Sequence, residues 1–457
     1  HLNLTRPDVI EEIHRGHLEA GADIIETITF GSTSLVLAEY PPLDDPAHEI
    51  TVAAARIARR AADAFSTPDR PRFVAGSMGP TTKAISVTGG VTFEQLVETF
   101  AAQAASLVEG GVDYLLIETA QDTRNIKAAL RGCEIAFDRA ARRVPVAVSG
   151  TIEAMGTMLA GQTAEALAVS LEHAELLYLG LNCATGPDIM ADHHRTIAEI
   201  ASTRIACVPN AGLPDEDGHY LETPEMMASV LGRFLDEGWL NLVGGCCGTT
   251  NEHIAAFARL VEGRTPRAVP ERTTTRVSGL EAVAFDDASR PLFVGERTNV
   301  LGSRKFKRLI AEGKFEEASE IARAQVGRGA HVIDVCLQDP DRDESADMRA
   351  FLGQLTRKVK APLMIDSTDA DVIELALSWC QGKAIINSIN LEDGLERFER
   401  VVPMARRFGA ALVVGCIDED PEQGMAVTRE RKLEVAERSY RILTGEFGVE
   451  PEDIVFD

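Results

Sequence analysis

Three of the eight cysteines stand where sulfur could do chemistry. Cys246 and Cys247 are adjacent in "LNLVGGCCGTT" (240–250), and Cys183 closes the apolar run "LLYLGLNC" (176–183). Neighbouring side chains of a regular strand point to opposite faces. Two adjacent thiols can therefore share one site only where the backbone bends, and the glycines on either side of the pair permit that bend. Three thiolates brought together repel one another unless a cation lies between them. Zn2+ suits such a set, because it takes sulfur ligands at ~2.3 Å in a tetrahedron and has no redox chemistry. Three protein ligands leave a fourth position open, as in catalytic zinc sites. An external thiol bound there loses its proton and is held as a thiolate. The chemistry these residues suggest is alkylation of a thiol. Asn210, ending "RIACVPNAG" (204–212), is a candidate weak fourth ligand, or else a loop cap. Cysteine is also a common core filler, and Cys133, Cys207, Cys380 and Cys416 are read that way.

Elements must bring these thiols together. Between residue 1 and about 262, β-rich runs alternate with Ala-rich helical runs. The strand candidates are 22–30, 73–79, 113–120, 144–152, 176–183, 204–212 and 240–248. Helical periodicity, as in "TFEQLVETFAAQAASLVEGG" ending on Gly110–Gly111, separates them. Buried-type strands alternating with helices predict parallel βαβ units. Seven strands plus the missing initiator Met predict a (β/α)8 barrel whose first strand precedes His1. Chemistry in such barrels collects at the C-terminal ends of strands, where Cys183 and the Cys246–Cys247 pair both fall. No G-x-G-x-x-G opens a helix after the first strand, which disfavours an open dinucleotide-binding sheet. A second series follows at 291–298, 330–337, 361–367, 383–390, 410–418 and 453–457. The fold class expected is α/β, two (β/α)8 TIM barrels in tandem, the second truncated at its C-terminus. The domains expected are 1–265, a linker at 266–290 with one short strand, and 291–457.

A formal net charge of −25 sets the whole chain against phosphate backbones and anionic lipid surfaces. Nucleic acid and membranes are excluded as expected partners, and no apolar run approaches the ~20 residues of a membrane span. Without a signal peptide, and with too few cysteines for a disulfide scaffold, the expected compartment is a reducing cytoplasm.

"GLNC" and "GGCCGT" at the ends of two strands resemble the zinc motif of the homocysteine-binding barrel shared by cobalamin-dependent methionine synthase and betaine–homocysteine methyltransferase. The resemblance covers about residues 1–262. It implies that Cys183, Cys246 and Cys247 bind zinc and that the external thiol is homocysteine. The family's opening D-G-A-M-G-T motif is missing, in line with a missing first strand, and "EAMGTML" (153–159) is a chance echo. The resemblance makes Glu118 in "LIET" the leading partner of the substrate ammonium, with Glu26 in "IIET" either a second partner or the holder of an ordinary supporting hydrogen bond. The "GSMGPT" loop, with Gly76 and Ser77, resembles one whose backbone N–H groups hold the substrate carboxylate.

"FVGERTNVLGSRKFKRLI" (293–310), "PLMIDS" and "KAIINSIN" resemble the pterin-binding barrel of cobalamin-dependent methionine synthase. A carboxylate can accept two adjacent pterin N–H groups in parallel. The resemblance makes Asp366 the leading carboxylate, with Asn387 beside it and Asp334 and Glu296 behind. Asp366 could instead cap the helix that follows. The family's D-x-N on the second strand reads "IDVC" here, so Cys336, a weak hydrogen-bonding residue, occupies the Asn place. Either pterin contact differs, or Asn390 or a water compensates. "PDRDES" is divergent too.

The resemblance implies a methyl group that starts on 5-methyltetrahydrofolate, crosses by a cobalamin carrier and ends on homocysteine, giving methionine and tetrahydrofolate. Methyltetrahydrofolate is a poor methyl donor until its leaving nitrogen is protonated, which is why the family uses a carrier. No D-x-H-x-x-G loop occurs in the chain, so methylcobalamin is expected on a cobalamin-binding module outside it. Rival readings are a betaine- or S-methylmethionine-dependent homocysteine methyltransferase, a fusion to methylenetetrahydrofolate reductase, and a non-catalytic zinc scaffold. The "GERTN" half disfavours the first two. The intact cysteine trio disfavours the third.

Overall fold

A computed structural model describes residues 1–41 and 46–457. Two compact units emerge, one of residues 1–164 and 175–271, the other of 165–174 and 272–457.

In the first unit seven strands form one parallel sheet in sequence order: β1 (Ile24–Glu26), β2 (Phe73–Met78), β3 (Tyr114–Ala120), β4 (Val146–Gly150), β5 (Leu176–Asn182), β6 (Ile205–Val208) and β7 (Leu242–Val243). The sheet is curled. Inward side chains of β2 to β6 meet in one cluster, Ala75, Tyr114, Leu116, Ala147, Tyr178 and Ala206, and the Tyr114 and Tyr178 hydroxyls lie 3.1 Å apart across it. Small and large residues alternate because a curled sheet leaves room for few bulky side chains in each layer. The helices pack outside. Helix 93–110 starts on a Thr92–Gln95 capping box and stops at left-handed Gly111, as its sequence predicts.

The second unit repeats the plan. The antiparallel pair β8 (Arg276–Ser278) and β9 (Ala282–Ala284) precedes six parallel strands in sequence order: β10 (Val294–Gly295), β11 (Val332–Val335), β12 (Leu363–Asp366), β13 (Ile385–Leu391), β14 (Ala411–Asp418) and β15 (Ile454–Phe456). Both curled parallel sheets agree with the tandem incomplete barrels expected.

The segment expected to be a linker with one strand differs. Residues 276–284 make a hairpin built into the second unit. Val277 is fully buried with Val332, Ile385 and Ala411. The Ser278 N–H donates to the Lys383 carbonyl and the Leu280 N–H to that of Lys360. Its short apolar alternation lies among Arg, Thr and Pro and gives little periodic signal, but it covers strand ends that would otherwise leave backbone groups unpaired.

Candidate functional site

The C-terminal rim of the first sheet carries the cysteines. β7 ends at Val243, so Cys246 and Cys247 lie in the turn beyond it and not in a strand. The Thr249 N–H closes that turn on the Cys246 carbonyl. A Cβ on Gly245 would come within 2.5 Å of the Thr249 side chain, and Gly248 has a φ of 78°. Both thiols can face one way because this short loop is not pleated. Cys183 follows β5 directly with φ 64°, and Ala184 with φ 57°. Left-handed backbone at two successive non-glycine residues costs of order 1–3 kcal/mol each. It swings the Cys183 thiol off the strand's line toward the pair.

The Sγ atoms of Cys183 and Cys247 are 3.9 Å apart, as are those of Cys246 and Cys247. All three sulfurs lie within 4.8 Å of one another, the one such group of metal-ligating side chains among the described residues. A tetrahedron with metal–sulfur bonds of ~2.3 Å has edges of ~3.8 Å, so the donor set fits a zinc ion. The thiols already share charge unequally. Cys183 is drawn down to about 6, chiefly by a hydrogen bond from Cys246. Cys246 is pushed up by its side of that bond, and Cys247 is pushed up by burial.

Two asparagines brace the cluster. The Asn210 oxygen accepts from the Cys247 N–H at 3.1 Å. The structure thus gives the candidate fourth ligand a supporting task. Asn182, inside the "GLNC" motif yet not singled out by sequence, is buried. Its oxygen accepts from the Thr119 N–H and the Ser149 hydroxyl at 3.0 and 2.7 Å. Its amide donates to Thr119 Oγ1 at 2.8 Å and reaches Cys246 Sγ at 4.0 Å. Thr119 has φ 52°, an outlier for a β-branched residue. Asn182 therefore ties the end of β3, where Glu118 sits, to the thiol cluster.

Glu118 and Glu26 both have raised pKa values. Glu118 is buried and pushed up first by desolvation, with Cys183 adding to it. Glu26 opens to water at the rim, yet protein crowds it and pushes it up, helped by Glu118. A cation between them would relieve both. The Ser77 hydroxyl donates to Glu118, while the Ser77 N–H is taken by Thr27 Oγ1 at 3.0 Å. Of the loop expected to hold the substrate carboxylate, residues 76–78 belong to a strand and 79–81 lie beyond it. Gly76 and Ser77 lie inside β2, and a Cβ on Gly76 would press on Leu107, Val112 and Leu115, on the helix side of the sheet. The alternation "FVAGSM" reads as strand once its partners are known, whereas its glycine reads as loop by itself.

In the second unit Asp334 ends toward the rim of β11 and Asp366 closes β12. Asn299, overlooked within "GERTN", lies between them. Its Nδ2 donates to Asp334 Oδ2 at 3.3 Å and Asp366 Oδ2 at 3.2 Å. Its Oδ1 accepts from the Leu301 and Gly302 N–H groups, which fixes the amide's orientation. Asp334 Oδ1 is buried without a hydrogen-bond partner, and the Asn387 amide is near. Burial and then Asp366 push Asp334 up to about 7. Asp366 is raised by burial and supported by a hydrogen bond from the Cys336 thiol. Asp366 is not a helix cap, since Asp369 caps helix 370–379. Asn390 turns away to the Glu392 N–H, so Asn299 is the amide at the carboxylates. Glu296 is exposed at the same rim. In "PDRDES", Arg342 forks onto Asp347 and Asp343 caps helix 344–355.

Comparison with known proteins adds the decisive observation: residues 1–261 match the homocysteine S-methyltransferase family. The chain belongs to that family. Residues 295–457 match the pterin binding enzymes, so this homocysteine S-methyltransferase family member carries the homocysteine and pterin modules of methionine synthase-like proteins. The pairing supports methyl transfer to homocysteine. Among solved structures the chain is similar to the homocysteine methyltransferase MmuM from Escherichia coli. In its metallated and oxidised forms MmuM is 20% identical with a TM-score of 0.47, over 56% of this chain and 86% of that one. In its apo form it is 20% identical with a TM-score of 0.44, over 57% and 88%. No described helix is long and apolar enough to cross a membrane.

Proposed function

We propose that this protein is a methionine synthase acting through a zinc-held homocysteine thiolate, with 5-methyltetrahydrofolate as the source of the methyl group and cobalamin as its carrier. Cys183, Cys246 and Cys247 would hold the zinc. When bound, zinc supplies a Lewis-acid position at which an incoming thiol is deprotonated near neutral pH. The spacing of the three sulfurs is the observation that carries this reading, since 3.9 Å is a metal-ligand edge and no disulfide distance.

The other residues take roles that their surroundings support. Glu118, oriented by Ser77, accepts the substrate ammonium together with Glu26, and burial raises the pKa of both. Asn182 and Asn210 keep the sulfurs directed inward. In the second unit Asp366 and Asp334 accept the pterin N–H groups with Asn387 beside them, and Glu296 stands at the entrance. The unpartnered Asp334 oxygen is an acceptor awaiting a donor. Cobalamin does not fit these residues. The sequence has no D-x-H-x-x-G loop, so the carrier is assigned to a separate cobalamin-binding module, and cytoplasm is the compartment that suits free thiols.

Two half-reactions test the proposal, methyl transfer from methylcobalamin to homocysteine and from methyltetrahydrofolate to added cobalamin. Both are expected with the purified chain and zinc. Cys246→Ser should lose the bound zinc and the first half-reaction while keeping the second. Full zinc occupancy in that variant would refute the thiolate assignment.

A further inference from the structure

Segment 298–300 continues the sheet of the second unit beyond β10. Asn299 bridges Cys336 in parallel. The Cys336 N–H donates to the Thr298 carbonyl at 3.1 Å, and the Val300 N–H to the Cys336 carbonyl at 3.0 Å. The buried Thr298 hydroxyl donates to the Asp334 carbonyl. On the other side of β11, Val335 pairs with Ile365. Cys336 thus comes level with Asp366, which pairs in turn with Asn387. Parallel neighbours at one level present their side chains to one face of the sheet. The row at this rim therefore reads amide, thiol, carboxylate, amide: Asn299, Cys336, Asp366, Asn387.

The thiol is the odd member. It is the shortest side chain of the row and a weak donor. Asn299 reaches past it. Its Nδ2 lies 3.2 Å from Asp366 Oδ2, two strands away, and 3.3 Å from Asp334 Oδ2, one level lower on β11. Its Oδ1 accepts from the Leu301 and Gly302 N–H groups at 2.8 and 3.0 Å. An amide held that way keeps its two hydrogens on the acids, since a flip would set its oxygen against both. Asp334 Oδ1 is buried and has no partner, so the oxygen that Asn299 does not take is the one left for a ligand. A neutral donor fixes two neighbouring acids without adding a charge between them.

Resting on the pterin-site reading above, we propose that Asn299 is a positioning residue: it clamps Oδ2 of both Asp334 and Asp366, leaves their other oxygens to the pterin N–H groups, and does so across a thiol that cannot hold them itself. Calorimetry of 5-methyltetrahydrofolate binding to the full chain tests this. Asn299→Asp keeps the oxygen that Leu301 and Gly302 hold and removes the donor. It should bind about tenfold more weakly, what a hydrogen bond to a charged group is worth. Asn299→Ala should lose as much. Adding Cys336→Asn to Asn299→Ala sets an amide in the same row, next to Asp366, and should recover most of the loss. A side chain that only shaped its own turn would not be replaced from position 336. Wild-type affinity in Asn299→Asp, or a double variant no tighter than Asn299→Ala, overturns the proposal. A wild-type chain that binds no methyltetrahydrofolate would instead sink the pterin reading itself.

Discussion

At the residue scale, the second unit turns on a pair of acids held by one amide. Asn299 donates to both Asp334 and Asp366, and Asp334 remains up at about 7 because burial and its neighbour disfavour its charge. A carboxyl whose folded pKa exceeds its unfolded value of ~3.9 favours the folded state when protonated. Its contribution is fully present below pH ~3.9 and is lost as pH rises toward the folded value. Asp334→Asn removes that loss. The variant should gain stability relative to wild type between pH 5 and pH 8, by at least about 1 kcal/mol, the equivalent of roughly one pK unit. Denaturant titrations at the two pH values check this, and a pH-independent difference would mean that Asp334 is ionised in the fold. The same variant should bind methyltetrahydrofolate more weakly, because an Asn oxygen is a poorer acceptor for pterin N–H groups.

At the element scale, close helix packing supports the first sheet. Gly132, in the helix Thr123–Ala140, faces the helix Phe93–Gly110 so closely that a Cβ would lie 2.8–2.9 Å from Ala101 N, Phe100 Cβ and Val97 O. Alanine is the better helix former by about 1 kcal/mol, yet forcing two helices apart costs typically ~1–3 kcal/mol. Gly132→Ala should therefore lower stability by up to ~2 kcal/mol, read as a fall in the denaturation midpoint with an unchanged m-value. A stabilised variant would show that this helix pair yields at little cost. The helices themselves are legible in the sequence from periodicity and caps, as Thr92–Gln95 and Gly111 show. The approach distance is not, because it depends on what the neighbouring helix presents.

At the scale of the whole molecule, residues distant in sequence share one buried charge network. The segment 165–174 lies within the first module's sequence but belongs to the second compact unit. Its Glu172 is buried with Lys383 Nζ at 2.8 Å and Arg272 Nη1 at 3.3 Å. Asp453 shares both cations at 2.6 and 2.8 Å. Lys383 is 1% exposed, so its removal empties a buried site and leaves Glu172 and Asp453 with Arg272 as the cation they share. Lys383→Ala should lower the stability of the second unit by ~2–5 kcal/mol, the usual cost of truncating a large buried side chain to alanine. Equilibrium unfolding followed by fluorescence tests it, and a loss under ~1 kcal/mol would mean that the acids take up protons at little cost.

Read without coordinates, the sequence determined the alternation of strand and helix, the doubling of that pattern, and the thiols that could hold a metal. Periodicity, capping and residue chemistry are local, and local signals survive in one dimension. The tertiary structure alone decided the rest. It placed Gly76 and Ser77 in a strand, Asn299 between two acids, Asn182 against the Cys246 sulfur, and the 276–284 hairpin in a core. Each of those positions is fixed by a partner from another part of the chain, and a hydrogen bond across the fold has no period for the sequence to show.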